Sequence, residues 1–255
     1  TESCPTPRWR YVVPNGITCV GLLIGLTSVF KAMEGDYVEA SWLIVLCVLL
    51  DKLDGTMARL LRATSDIGVQ LDSFSDFITF GIAPGVLVFL AVWRGDAPGG
   101  DIPHESFLIW QGEAMGWLLR ALVSIYVLCA VLRLARFNVL TEVEGGSDVF
   151  YGLPTTPSGA VIATMFVIMD HHEMWTYMRW LPVLLAALGL LMISDLPLPK
   201  IAVRKSNFLN IFQGVNVVIA YLFGFLRIFP EYLLALLVIY AVVGFVWGFV
   251  NRNEL

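Results

Sequence analysis

The sequence predicts an all-α, polytopic transmembrane bundle of about eight helices, one domain over residues 1–255, with its active site at the cytoplasmic side. Two observations carry this fold class. The 255 residues are 58% hydrophobic and only 15% charged, where an ordinary soluble domain carries roughly 25% charge. The apolar residues also gather into runs near the roughly 20 residues that a spanning helix needs, and the mean hydropathy is +0.77.

Read in order, these runs fall at about 12–32, 39–61, 69–93, 114–137, 157–173, 177–195, 208–228 and 231–250. The opening TESCPTPRWR leads straight into the first run with no short apolar stretch and cleavage site, so that run is expected to serve as the insertion signal. An even number of crossings puts both termini on one side. With that side cytoplasmic, eleven of the 16 Lys and Arg lie at or near it and five lie nearer the other, as the positive-inside bias favours. The expected location is an integral, multi-pass inner (cell) membrane protein with both termini in the cytoplasm. The connection at 94–113, RGDAPGGDIPHESFLIWQGE, is rich in Gly, Pro and acid and reads as an external loop.

Net charge is −5, and the partners expected are the lipid bilayer and small substrates, with no nucleic acid. Cys4, Cys19, Cys47 and Cys129 stand singly and suit packing rather than disulfides or metal. His171, His172 and Glu173 lie at an outer helix end without a ligand cluster and read as interfacial. Gly21 and Gly25 in GLLIG have the spacing of close helix contact, for which packing inside the molecule is the simpler reading.

Against this apolar background, residues 49–81 carry Asp51, Asp54, Asp66, Asp72 and Asp76. At about 100° per residue, Asp51, Asp54, Gly55, Ala58 and Arg59 share one face of the second helix. Gly68, Asp72 and Asp76, spaced by four, stripe the third. Four carboxylates from two neighbouring helices cannot converge without protonation or compensating cations. Oxygen-only ligands suit Mg²⁺, Mn²⁺ or Ca²⁺ rather than Zn²⁺. Gly55 and Ala58 leave room for a ligand against the backbone, and Arg59 can meet a phosphate. Together they describe a metal-assisted pyrophosphate site. Asp66 lies in the short connection and reads as a solvated loop or capping residue. An ion-coupled transporter would place its acids in paired, interrupted helices of two halves; here four acids fall within residues 51–76.

The spacing D-x2-D-G-x2-A-R-x8-G-x3-D-x3-D, formed by Asp51, Asp54, Gly55, Ala58, Arg59, Gly68, Asp72 and Asp76, resembles that of the CDP-alcohol phosphatidyltransferases. The resemblance implies an integral membrane enzyme, a homodimer, that transfers the phosphatidyl group of a CDP-linked lipid to a small alcohol and releases CMP. It implies two divalent metals, one on Asp51, Asp54 and Asp72 and one on Asp51, Asp72 and Asp76, with Asp76 the base. It also implies that Asp54, Gly55, Ala58, Arg59 and Ser65, with the PNGIT turn Pro14–Thr18 (Pro14, Asn15 and Thr18 above all), bind the CDP-lipid.

FGIAP (80–84), RLARFNV (133–139) with GLPTTPSGA (152–160), and LMISDLPLPK (191–200) resemble, in kind and order, the phosphatidylserine synthases of this family. The implied substrates are CDP-diacylglycerol and L-serine, with glycerol 3-phosphate, inositol phosphate or choline as the alternative acceptor. A serine carboxylate needs a cation, and Arg133, Arg136 and Asn138 at the cytoplasmic end of the fourth helix are the candidates, with Lys200, Arg204 and Lys205 behind them. Helix-end arginines also snorkel to headgroups.

Overall fold

Proline and glycine at the ends of long apolar runs punctuate the chain into helices joined by short links. The computed structural model describes residues 9–61, 63, 65–95, 105–144, 149–199 and 207–250. Helix α1 (Trp9–Glu34) forms an antiparallel hairpin with α2 (Tyr37–Leu60) through a turn at Gly35, which takes a positive φ of 87°. The Asp36 carboxylate caps α2 by accepting from the Glu39 N–H. After a short connection come α3 (Asp66–Asp76), a π-helical stretch (Phe77–Ile82) and α4 (Ala83–Arg94), a continuous rod over Asp66–Arg94. The rest is α5 (Glu105–Gln111), α6 (Glu113–Glu144), β1 (Val149–Tyr151), α7 (Thr155–His171), α8 (Trp175–Met178), α9 (Leu181–Met192), β2 (Pro197–Pro199), α10 (Asn207–Leu226) and α11 (Pro230–Val250).

Every apolar run read from the sequence falls on helix, so the all-α architecture stands. By length and composition, four described helices can cross a membrane: Arg10–Glu34, Asp66–Arg94, Glu113–Val139 and Pro230–Val250. The other apolar runs fall on helices that are shorter or carry charge. Helix α2 is long enough but carries Asp51, Lys52, Asp54 and Arg59 near its end. Helix α7 has 17 residues, and α9 has 12 but follows closely on α8, so that Trp175–Met192 together approach the length of a span.

Two expectations need correction. The PNGIT stretch is not a turn at a helix start, because α1 begins at Trp9 and carries Pro14 inside it. The 94–113 connection is not all loop. Its apolar FLIW portion forms α5, burying Phe107 and Trp110, and the Trp110 indole N–H donates to the Arg179 carbonyl at 3.0 Å.

The core gathers where α2, α4, α7 and α9 meet, around Tyr37, Ile44, Leu87, Phe166 and Leu185, all fully buried. Outward faces are apolar as well: Val218, Phe225, Phe249 and Val250 are each more than 60% exposed, as lipid contact requires. Gly21 and Gly25 pack within the molecule. A Cβ on Gly21 would lie 3.7 Å from Ser75 Oγ, and one on Gly25 would lie 3.2 Å from Thr79 Cα.

Strands β1 and β2 pair antiparallel, with Val149 opposite Pro199 and Tyr151 opposite Pro197. This ribbon is pinned by close backbone approach. A Cβ on Gly152, at φ 77°, would stand 2.2 Å from the Met192 carbonyl oxygen, and one on Gly248 of α11 would stand 1.9 Å from that of Pro197. Only glycine fits either place.

The π-helical stretch is held from outside. Pro84 has no N–H to offer the carbonyl four residues back, that of Phe80, and the buried Tyr126 hydroxyl of α6 donates to that oxygen at 2.6 Å. Gly159 of α7 lets Phe80 approach, since a Cβ there would lie 3.1 Å from Phe80 Cα. Tyr126→Phe leaves the carbonyl without this donor and is expected to cost about 1–3 kcal/mol. Thermal unfolding in detergent should show a midpoint several degrees lower; an unchanged midpoint would mean the bond does not hold this segment.

Candidate active site

The acidic cleft lies where α1, α2 and α3 converge. Helix α3 starts sharply because Ser65, in extended conformation, accepts from the Gly68 N–H at 3.1 Å. The cap is therefore Ser65 rather than Asp66, which is exposed in the first turn where a carboxylate suits the helix dipole. From that start, spacing by four turns Asp72 and Asp76 toward α2.

Oxygens of Asp51, Asp72 and Asp76 lie within 4.8 Å of one another. The donor set is carboxylate alone, partly buried, at a separation one cation can span, and it fits Mg²⁺, Mn²⁺ or Ca²⁺. Asp54 stands at the edge of this group, 6% exposed, and its Oδ2 accepts from the Thr18 hydroxyl at 2.7 Å. The single Thr18 proton is shared with the Pro14 carbonyl at 3.0 Å, and Ser75 of α3 donates to the Thr18 carbonyl at 3.4 Å. One threonine thus links all three helices. Thr18, Gly21, Cys47, Ser75, Thr79 and Phe80 line the cleft together with the four acids.

Around the acids, the other sequence candidates divide. Asn15 lies against Gly68, where a Cβ would meet its Oδ1 at 3.0 Å. Gly55 is covered by Arg59, whose Nη1 would be 3.7 Å from a Cβ there, while Arg59 Nη2 donates to Thr56 Oγ1 at 3.4 Å. Ala58 sits half-buried on the same face. Lys52 Nζ is 3.9 Å from Asp51 Oδ2 but mostly in solvent.

Among the described candidate acceptor residues, Arg133 is the one whose charge interacts with Asp51 and Asp76, and its Nη1 donates to Thr155 Oγ1 at 3.2 Å. Arg136 turns to the ribbon, pairing with Asp195 at 2.8 Å and covering the Tyr151 ring. Asn138 exchanges hydrogen bonds with Ser73, beside Asp72. Lys200, Arg204 and Lys205 lie outside the described residues.

Sequence reasoning missed the Thr18–Asp54 bond, the Thr155 partner of Arg133 and Thr156, which lies beside Asp51. A polar T-T pair just after GLP, at the start of an otherwise apolar helix, was the signal for the last two.

An apolar helical bundle with a carboxylate cleft at the ends of two of its helices defines a membrane-embedded enzyme of phosphoryl-transfer type. Residues 11–191 match the CDP-alcohol phosphatidyltransferase family, and the chain belongs to that family. Curated relatives agree. The CDP-diacylglycerol–serine O-phosphatidyltransferase of Helicobacter pylori is 30% identical over 84% of this chain and 82% of its own. That of Methanocaldococcus jannaschii is 31% identical over 92% of each. The archaetidylserine synthase of Methanothermobacter thermautotrophicus is 30% identical over 74% of this chain and 70% of its own.

Removing one carboxylate from the close group should weaken cation binding. For Asp72→Asn we expect Mn²⁺ affinity to fall about tenfold or more, read from electron paramagnetic resonance of free Mn²⁺ against purified protein. Equal affinity would show that Asp72 does not hold metal.

Proposed function

We propose that this enzyme transfers the phosphatidyl group of CDP-diacylglycerol to L-serine, giving phosphatidylserine and CMP. The observation that carries the choice of acceptor is shared by the relatives: bacterial and archaeal proteins matched over 84% and 92% of the chain are named for serine, and so is one whose lipid name differs.

The residues divide the work. Asn15, Thr18, Gly55, Ala58, Arg59 and Ser65 form the nucleotide side, with Gly55 and Ala58 giving room and Arg59 a cation for a phosphate oxygen. Arg133, whose charge acts on Asp51 and Asp76, meets the serine carboxylate. Arg136 and Asn138 brace that end of α6 through Asp195 and Ser73. Asp76 accepts the proton of the serine hydroxyl, whose oxygen forms a bond to the phosphatidyl phosphorus as the bond from phosphorus to the CMP oxygen breaks. Asp51, Asp72 and Asp76, with Asp54 at their edge, would hold two divalent cations, Mg²⁺ or Mn²⁺, which when bound supply charge neutralisation for attacking and leaving oxygens. Thr18 fixes the Asp54 rotamer for that task.

In this reading the bundle crosses the membrane eight times with both termini and the acidic cleft at the cytoplasmic face. Its support is the helix found at each apolar run and the split of eleven cations against five. The family resemblance supports a homodimer.

Purified enzyme with Mg²⁺ or Mn²⁺ and CDP-diacylglycerol is offered serine, glycerol 3-phosphate, inositol phosphate or choline, and CMP release is scored. Serine should give CMP and phosphatidylserine; rapid release with another acceptor and none with serine would overturn the assignment. Loss of a general base costs about 10²–10⁴-fold, so Asp76→Asn should lose turnover on that scale while still binding CDP-diacylglycerol. Near-native turnover would show that Asp76 is not the base.

A further inference from the structure

The helices of this chain satisfy their hydroxyls by a common device. Thr18, Ser41, Thr56, Ser73, Ser158 and Thr164 each donate to the carbonyl four residues earlier, at 2.7–3.1 Å. Thr79 does not. It is 1% exposed, and apart from the soft Cys47 sulfur its Oγ1 meets no hydrogen-bond partner among the described residues.

The cause is local. Thr79 lies in the π-helical stretch Phe77–Ile82, where the wider turn moves the carbonyl four residues back away from its usual place. The hydroxyl is directed at α1, where a Cβ on Gly25 would stand 2.6 Å from it. Beside it is the Cys47 sulfur, a weak acceptor whose own proton goes to the Gly21 carbonyl at 3.4 Å. The other hydroxyls lining the cleft, Thr18 and Ser75, both have partners. A buried hydroxyl left unpaired is costly, and π-helical turns gather at functional sites.

We propose that Thr79 determines acceptor specificity: its Oγ1 accepts a hydrogen bond from the ammonium group of an amino-alcohol acceptor whose hydroxyl lies at Asp76. Three residues after Asp76, Thr79 lines the same cleft less than one turn farther along the helix, a step suited to the two-carbon link between hydroxyl and amine. The surroundings are acidic, with Asp51, Asp72 and Asp76 in the same cleft. The acceptor's carboxylate is then left to Arg133. This deepens, and rests on, the serine reading above.

The test compares native enzyme with Thr79→Val, which keeps shape and removes the hydroxyl, and with Thr79→Ser, which keeps the hydroxyl. Thr79→Val should raise KM for L-serine about tenfold or more, the scale of a hydrogen bond to a charged group, with KM for CDP-diacylglycerol unchanged. Thr79→Ser should stay near native. Inhibition separates the ends of serine: Ki for ethanolamine, which keeps the ammonium, should rise with the serine KM, while Ki for 3-hydroxypropionate, which lacks it, should not move. Thr79→Cys, another near-isostere, should shift the serine KM in the same direction and decides the matter if the valine variant does not fold. An unchanged serine KM, or equal weakening of both inhibitors, would overturn the proposal. Native enzyme that makes no product from serine would overturn the acceptor reading and this one with it; an active native enzyme whose valine variant keeps its serine KM would overturn this one alone.

Discussion

Mutual repulsion of the carboxylates at Asp51, Asp72 and Asp76 is the constraint around which this fold is arranged. Their oxygens lie within 4.8 Å of one another, and each ionised pair at that separation repels by about 3 kcal/mol at the effective dielectric near a protein surface. Two helices left to themselves would rotate these groups apart. Packing of α2 and α3 against their neighbours opposes that rotation. Helix α2 is wedged between α1 and α7, and the rod containing α3 is held along α1 by the small residues Gly21 and Gly25. In the proposed mechanism, divalent cations supply the charge that the packing cannot.

Holding a rod still requires fixing its phase as well as its position. Thr18 ties α1 to both acid-bearing helices through Asp54 and Ser75. Directly after Asp76, the π-helical stretch re-phases the helix, and Tyr126 and Gly159 clasp it at Phe80 from α6 and α7. The same clasp carries Arg133 and Thr156 to the acids, since they lie on those two helices. Membrane anchoring and chemistry therefore share one structural element, and the irregular turn that leaves Thr79 unpaired belongs to it.

How much of this was legible in the sequence depended on the range of the interaction. Asp51 with Asp54, and Asp72 with Asp76, share faces because of helical spacing alone, so their stripes and their meeting could be read directly. PNGIT was taken for a turn because proline and glycine usually punctuate; here Pro14 sits in the early part of α1, and the polar residues after it face α2 and α3. The 94–113 connection hid α5 because glycine, proline and acid outweighed four apolar residues whose value comes only from packing. Arg136 was grouped with Arg133 by proximity in sequence, yet it pairs with Asp195, 59 residues away. A lone threonine in an apolar run carries no mark, because what sets Thr79 apart is the missing partner that only the backbone reveals.

The central claim is that α2 and α3 present their carboxylates to divalent cations between them. It is tested most directly by anomalous diffraction at the manganese edge from crystals grown with Mn²⁺ and CDP-diacylglycerol. The account predicts anomalous peaks bounded by Asp51, Asp72 and Asp76, with Asp54 reaching one of them. Manganese bound elsewhere, with the three carboxylates turned apart or paired to arginine, would contradict it.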